Sequence, residues 1–411
     1  MLSFSSAMTR MVNTRRALAE CLDASGSEGA TGDDEIIILH ASMGHNLGEL
    51  GAEARRLAPK ARVFGASCCG VVGREGVSES MKDLAIMRIR GEVAVASVDG
   101  IDGRSSHELA ARMAADVRRQ APGVNMVFLL ASGIDIANDG LIEGIESVLG
   151  PEVTIFGATS SDNMKGVASY QLVDQTMMEH GAWLIGFADP SLEAVTQATH
   201  GFVAVGTPLV VTKSDGNRIL ELNGRPAWLE YAGRLGLDQG ATTGDSIPIG
   251  ALAEELPPHL AEEYGNPHIL RVVTKREVGG GMYYATTCPE GTRLWLTKRD
   301  ETRIFAALDS MMTELVRSLD GRSPVAVFHA DCLARGRFLF NRVLKDEIVS
   351  HMQAPLFRAG VVPWLGMYGF GEFAPGRSQP VPQLHDISMR RRTSTVMPRR
   401  VRRAPPARRR Q

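Results

Sequence analysis

Two segments late in the chain bring together residue types that can do chemistry. The run 328–337, FHADCLARGR, puts His329, Asp331 and Cys332 at a strand end, with Arg335, Gly336 and Arg337 in the turn beyond it. A guanidinium in a tight glycine turn can grip a carboxylate through two parallel hydrogen bonds. Side chains alternate across a strand, so His329 faces away from Cys332, which argues against a Cys-His dyad within this segment. The run 366–376, GMYGFGEFAPG, sets Glu372 just after Gly366, Gly369 and Gly371. Glycines there let the backbone come close to another group. Glu372 would meet a ligand amine or pair with an arginine such as Arg335. Arg335 and Glu372 would thus bracket the two charges of an amino acid, with Cys332, Gly336 and Gly369 beside them. The competing chemistry is an enzyme that uses Cys332 as its nucleophile on a small carbonyl substrate.

Two further segments echo one another. Residues 63–70, VFGASCCG, and 155–162, IFGATSSD, share a strand ending in Phe-Gly-Ala-Ser/Thr and begin 92 residues apart. A duplicated βαβ-like unit would place Ser67, Cys68, Ser160 and Asp162 in small-residue loops at equivalent strand ends, where α/β proteins hold ligands. A reactive thiol at Cys68 or Cys69 would need a base or a positive field beside it. A small buried residue is the commoner role for such a cysteine. The chain has no Walker A, GxGxxG-helix, GxSxG or HExxH pattern. Its ten His show no paired ligand spacing and its five Cys no CxxC. Neither a metal site nor a disulfide framework is expected, nor any cofactor, and the cysteines point to a reducing cytoplasm.

These residues need a scaffold, and apolar periodicity supplies one. Strand patterns at 35–41, 62–67, 84–90, 93–98, 124–131 and 153–158 alternate with helix patterns at 46–59, 107–120 and 140–149. A helix is expected at 7–23, and strands near 181–188 and 201–205. Beyond 200 come a hairpin at 210–222, turning on Gly216 and Asn217, a helix at 225–235 and strands at 268–273, 281–287 and 293–296. A helix at 302–319, a strand at 324–330, a helix at 341–352 and a strand at 361–370 follow. The expected fold is α/β, as two layered α/β domains with mixed sheets and a disordered Arg-rich C-terminal tail. The divisions fall at 1–30 for a helix and loop, 31–200 and 201–389 for the domains, and 390–411 for the tail.

Charge separates tail from body. The chain carries 45 Lys+Arg and 47 Asp+Glu, yet residues 390–411 hold ten Arg and no acid. Residues 1–389 are left with 35 bases against 47 acids, a net −12, which opposes nucleic-acid binding by the body. The tail would contact acidic partners or nucleic acid, and Pro398, Pro405 and Pro406 oppose a basic helix there. No run approaches the about 20 apolar residues that cross a bilayer, so no transmembrane segment is expected, and residues 1–27 lack the core of a signal peptide.

Taken in order, the motifs resemble the FIST family of sensory domains. The N-terminal match runs through residues 63–73, 128–133 and 155–163. The C-terminal match runs through 200–231, with its Gly-rich entry, hairpin and Asn-Gly-x-Pro-Ala helix start, then 332–336, 368–375 and His385. It covers roughly residues 30–390. The chain departs from the family pattern at Ala334, where a glycine is usual, and at the His-Ala-Asp that precedes Cys332. The resemblance implies a cytoplasmic sensor that binds a small polar ligand such as an amino acid and signals to a separate output protein such as a sensor kinase or a cyclic-nucleotide module.

Overall fold

One chain path, used three times, accounts for most of the molecule. The computed structural model describes residues 1–26, 34–134, 136–163, 165–238, 240–246, 251–264, 266–333, 342–357, 360–373 and 385–391. The first copy of the path runs β1 (Ser3–Thr9), α1 (Thr14–Ala24), β2 (Glu35–Ser42), α2 (Leu47–Leu57) and β3 (Arg62–Cys68). A hairpin follows, β4 (Val71–Gly73) with β5 (Gly76–Ser78), and then β6 (Leu84–Arg90). The second copy repeats the order as β7 (Ala94–Val98), α3 (Ser106–Gln120), β8 (Met126–Ala131), α4 (Asn138–Leu149) and β9 (Thr154–Thr159). Its hairpin is β10 (Gln171–Val173) with β11 (Thr176–Met178), and it closes with β12 (Ala182–Phe187).

The third copy opens with β13 (Leu192–Ala198) and is interrupted by a β-rich unit. That unit contains β14 (Phe202–Asp215), β15 (Arg218–Leu222), β16 (Arg225–Pro226), α5 (Ala227–Leu235), α6 (Thr243–Ser246) and β17 (Leu252–Glu255). It continues through α7 (Pro258–Tyr264), β18 (His268–Arg271), β19 (Val273–Arg276), β20 (Met282–Tyr284) and β21 (Arg293–Arg299). The third copy then resumes with α8 (Glu301–Leu319), β22 (Ala326–Cys332), α9 (Arg342–Leu356), β23 (Trp364–Gly369), β24 (Glu372–Phe373) and β25 (His385–Arg391).

Strand pairing confirms the equivalence. Each copy has one parallel pair joined by a helix: β2 with β3, β8 with β9, β22 with β23. Each pair is extended on one side by antiparallel strands of its own copy, giving the orders β1-β6-β2-β3, β7-β12-β8-β9 and β13-β25-β22-β23. On the other side a different copy supplies the strands. β10 and β11 complete the first sheet, β24 the second, and β4 and β5 the third. The exchange is cyclic, so the three sheets lock one another into a ring.

Alternation along the strands then sorts the side chains. The inner faces meet in one core that holds Ile38, Phe64, Phe128, Phe156, Phe328, Leu365 and Met367. Phe128 touches Phe328 at 4.9 Å and Trp183 at 5.4 Å between ring centroids, and Trp183 lies 5.5 Å from Phe64. All three sheets are therefore in contact at the centre. The outer faces carry helix pairs. Leu18 and Leu50 of α1 and α2 cover the first sheet, Met113 and Ile145 of α3 and α4 the second, and Leu308 and Met352 of α8 and α9 the third. Each fully buried side chain of this size contributes about 1.5–3 kcal/mol. The layered α/β class with mixed sheets is as expected; the third copy is an addition, because β23 reads Leu-Gly-Met-Tyr where the echo has Phe-Gly-Ala-Ser/Thr.

The β-rich unit is one antiparallel sheet in the order β18-β17-β21-β14-β15-β20-β19, packed on α5 through Trp228 and Tyr231. Its hairpin turns where expected, with Gly216 at φ +60°. Asn217 acts differently: its amide donates to the Ile136 and Tyr284 carbonyls at 3.3 and 3.0 Å. The helix expected at 7–23 begins only at Thr14, capped by the Asn13 side chain, which accepts from the Arg16 N–H. Residues 3–9 are instead strand β1, because the open edge of β6 takes up their backbone groups from Ser3↔Arg90 to Thr9↔Leu84. β25 runs through Arg391, so Arg390 and Arg391 pair with β13. The rest of the basic tail, from 392, lies outside the described residues. No helix among the described residues is long and apolar enough to cross a membrane.

Candidate functional site

The ends of β3, β9 and β23 converge at one end of the ring. Ser161 N–H donates to the Ser67 carbonyl at 3.0 Å, and Ser67 Oγ donates to the Ser161 carbonyl at 2.9 Å. Ser161 Oγ donates to the Tyr368 carbonyl at 2.7 Å and accepts from Cys69 N–H at 3.0 Å. Thr159 N–H reaches the Gly371 carbonyl at 2.8 Å. Small residues are required for this approach. A Cβ on Gly369 would stand 2.6 Å from the Thr159 carbonyl oxygen.

Seven of the nine residues singled out in the sequence gather here, and several are already occupied. Ser67 Oγ also accepts from Tyr170 N–H at 2.9 Å. Ser160 Oγ donates to Ser169 Oγ at 2.8 Å and accepts from the Gln171 amide at 2.6 Å. Asp162 accepts from the backbone N–H groups of Lys165, Gly166 and Val167, so its carboxylate shapes its own loop. Burial pushes the Cys68 thiol well above the usual range, which disfavours the nucleophilic thiolate. Cys332 ends β22 opposite Gly369 and is buried. Glu372 is buried opposite Ala158 at the sheet edge. Arg335 and Gly336 lie outside the described residues. His329 Nε2 stands 3.5 Å from Asp331 Oδ2, and its ring lies 5.8 Å from that of Trp364, which packs on the outer, helix-covered side. His329 thus lies on the face the alternation assigns it.

Sequence reasoning missed Asn138. It is the first residue of α4, at the carboxyl end of β8, and is only 3% exposed. Neither its Oδ1 nor its Nδ2 has a hydrogen-bond partner among the described residues. Its Nδ2 lies 3.3 Å from where a Cβ on Gly371 would be, with Thr159 Oγ1 3.5 Å from the same point. The β-rich unit closes over this spot. Asn138 N–H donates to the Ala285 carbonyl at 2.8 Å, and Thr287 donates to Asp139 through both its N–H, at 3.0 Å, and its hydroxyl. Thr286, between them, is buried, and its hydroxyl has no partner among the described residues. Asn138, Thr159, Gly371 and Thr286 therefore define a polar junction between the ring and the β-rich unit. Asparagine at a helix start reads as an ordinary cap, but here Ala137 holds the cap position and the Asn138 side chain, in the first turn, bonds to none of the described residues.

Comparison with known proteins places the chain in a family. The model of the FIST N domain matches residues 35–225 and that of the FIST C domain residues 227–375. An uncharacterized protein of Mycobacterium tuberculosis (strain CDC 1551 / Oshkosh) is 24% identical over 370 residues, spanning 88% of this chain and 92% of its own. An uncharacterized protein of Mycobacterium bovis is 24% identical over 229 residues, spanning 55% of this chain and 56% of its own. Among solved structures, PurLQS from Thermotoga maritima aligns with 95% of this chain and 72% of its own at 9% identity, with a TM-score of 0.22 that carries no argument. With two family models covering most of its length, the chain belongs to the FIST family of sensory domains, as a FIST N domain followed by a FIST C domain.

Proposed function

We propose that this protein senses a small polar metabolite, an amino acid being the best fit, held at the junction of the ring and the β-rich unit. The signal would pass to a separate output protein, and five cysteines without CxxC spacing favour a cytoplasmic setting. Asn138 carries the reading. A primary amide offers two donors and two acceptor lone pairs. Leaving such groups buried and unmet costs about 1–3 kcal/mol each. A ligand that presents both a donor and an acceptor would recover that cost. The first turn of α4 favours negative charge beside it, and Glu372, next in the chain after Gly371, supplies a carboxylate for a ligand ammonium.

Thermal denaturation of the full chain against L-amino acids and other small polar metabolites tests this. A ligand at about 100 times its Kd should stabilise the fold by about 2.7 kcal/mol. Asn138→Leu should abolish that shift and leave the unliganded protein as stable as before or more so, since it removes the unmet groups. If no small polar compound raises the Tm, or if Asn138→Leu keeps the full shift, the assignment is wrong.

A further inference from the structure

The helix pairs on the three sheets do not pack alike. Gly144 lets α4 close on α3, since a Cβ there would stand 2.3 Å from the His107 carbonyl oxygen. Between α8 and α9 an open groove of about 700 Å³ remains, walled by Met312 and Val316 of one helix and Ala354 and Pro355 of the other. At its rim His351 Nδ1 stands 3.2 Å from the carboxylate of Asp309, which is exposed. Pro355 has no N–H, so the helix leaves the His351 carbonyl without its usual donor. No Lys or Arg of the described residues lines the groove. It combines apolar walls with acceptors and a negative charge.

Strand direction shows which part of the chain lies nearest. β13 and β22 both run antiparallel to β25, and β23 is parallel to β22. α8 starts beyond the end of β13, where a Cβ on Gly201 would stand 2.5 Å from Ile304 Cα, and has to deliver the chain to the start of β22. α9 runs likewise from the end of β22 to the start of β23. Both helices therefore finish where β25 finishes, at Arg391 opposite Leu192. The groove walls belong to the later halves of both helices, so the groove lies toward that same end. Residues 392–411 start there. Five residues reach up to about 17 Å, more than the about 10–12 Å diameter of the helix to be passed. That reach brings in Val396, Met397 and Pro398, an apolar run followed directly by Arg399 and Arg400. The residue before a proline favours extended backbone, a shape that fits a groove.

We infer that the groove between α8 and α9 is the docking site of the chain's own basic tail. Val396, Met397 and Pro398 would lie on the apolar walls, and Arg399 and Arg400 would meet Asp309 and the His351 carbonyl. The negative ends of the α8 and α9 dipoles favour arginines on that side of the sheet. The inference goes beyond the sensing of a metabolite at Asn138 and does not depend on it. A protein partner that uses this face has to displace the tail first.

The test uses the full chain with a photo-reactive benzoylphenylalanine in place of Met397. Irradiation should give a cross-link within one chain, and peptide mass spectrometry should map it to the peptides that hold Met312 or Ala354. Asp309→Arg and Ala354→Arg each put a positive charge at an exposed position of the groove. Each should cut the cross-linking yield about fivefold or more, with an unchanged Tm showing that the fold is kept. Raising the salt from about 50 to 500 mM should lower the wild-type yield as well. A cross-link that maps to another face, joins two copies or captures co-purified nucleic acid would overturn the inference. So would a yield that neither variant changes, or no cross-link at all.

Discussion

His40 lies among apolar residues at the centre of the ring, 2% exposed, beside a cavity of about 10 Å³ that it shares with Phe128, Phe156 and Phe328. One ring nitrogen meets the Gly366 carbonyl at 3.2 Å, and the other, Nε2, has no partner among the described residues. Burial lowers its pKa from 6.5 to about 4, and the Gly366 contact offsets this only in part. The folded protein therefore leaves His40 neutral where the unfolded chain binds a proton, so stability falls as pH drops from 6.5 towards 4. The loss from this residue should be about 3 kcal/mol. Urea denaturation at pH 7 and pH 4.5 should show His40→Gln losing less stability on acidification than the wild type; equal losses would contradict the assignment. The sequence gives no hint of this, since a lone histidine in an apolar strand looks the same whether it is neutral or charged. The strand-end serines and glycines were legible because only small residues let three backbones meet. Their bonding was not: Ser160 and Asp162 spend their polar atoms on the fold, while Asn138 keeps its own free among the described residues.

The exchanged hairpins dominate at the level of elements. Val72 of β4 belongs by chain order to the first copy, yet it packs in the third sheet's outer core with Leu308, Met352 and Trp364. Val72→Ala should therefore speed amide exchange in β23 more than in β3, which hydrogen-exchange mass spectrometry can resolve; the reverse order would contradict the exchange. Glycine gives a second handle. Gly157 has φ +143°, and a Cβ there would stand 1.8 Å from the Leu129 carbonyl oxygen. Gly157→Ala combines backbone strain with a clash against backbone, so a loss of about 3 kcal/mol or more is expected by denaturant titration. Long strands and helices were legible in the sequence through their periodicity. Two- and three-residue strands such as β4, β10 and β24 carry no period, and their pairing depends on which sheet edge is open. β1 was misread for the same reason, since Ser, Ala and Met suit a helix until β6 offers an edge.

The family's N and C parts are not separate bodies in the whole molecule. β4 and β5 lie within the FIST N match and pair into a sheet built on β22 and β23, while β24 of the FIST C match completes the second sheet. A fragment of residues 1–190 would keep the first sheet and lose Phe328, Leu365 and Met367 from the shared core. It should bind a hydrophobic dye and melt without a cooperative transition, whereas a sharp melt would show that the first two copies suffice. Ring closure also constrains synthesis on the ribosome. About 300 residues separate Val71 from Gly369, roughly 15–60 s of translation. Throughout that interval β4 and β5 have no third sheet to join, and their unpaired edges stay open to other chains. The nascent protein can finish its core only once β22 and β23 have been made, so the edges of β4 and β5 stay an aggregation hazard through the synthesis of the whole β-rich unit.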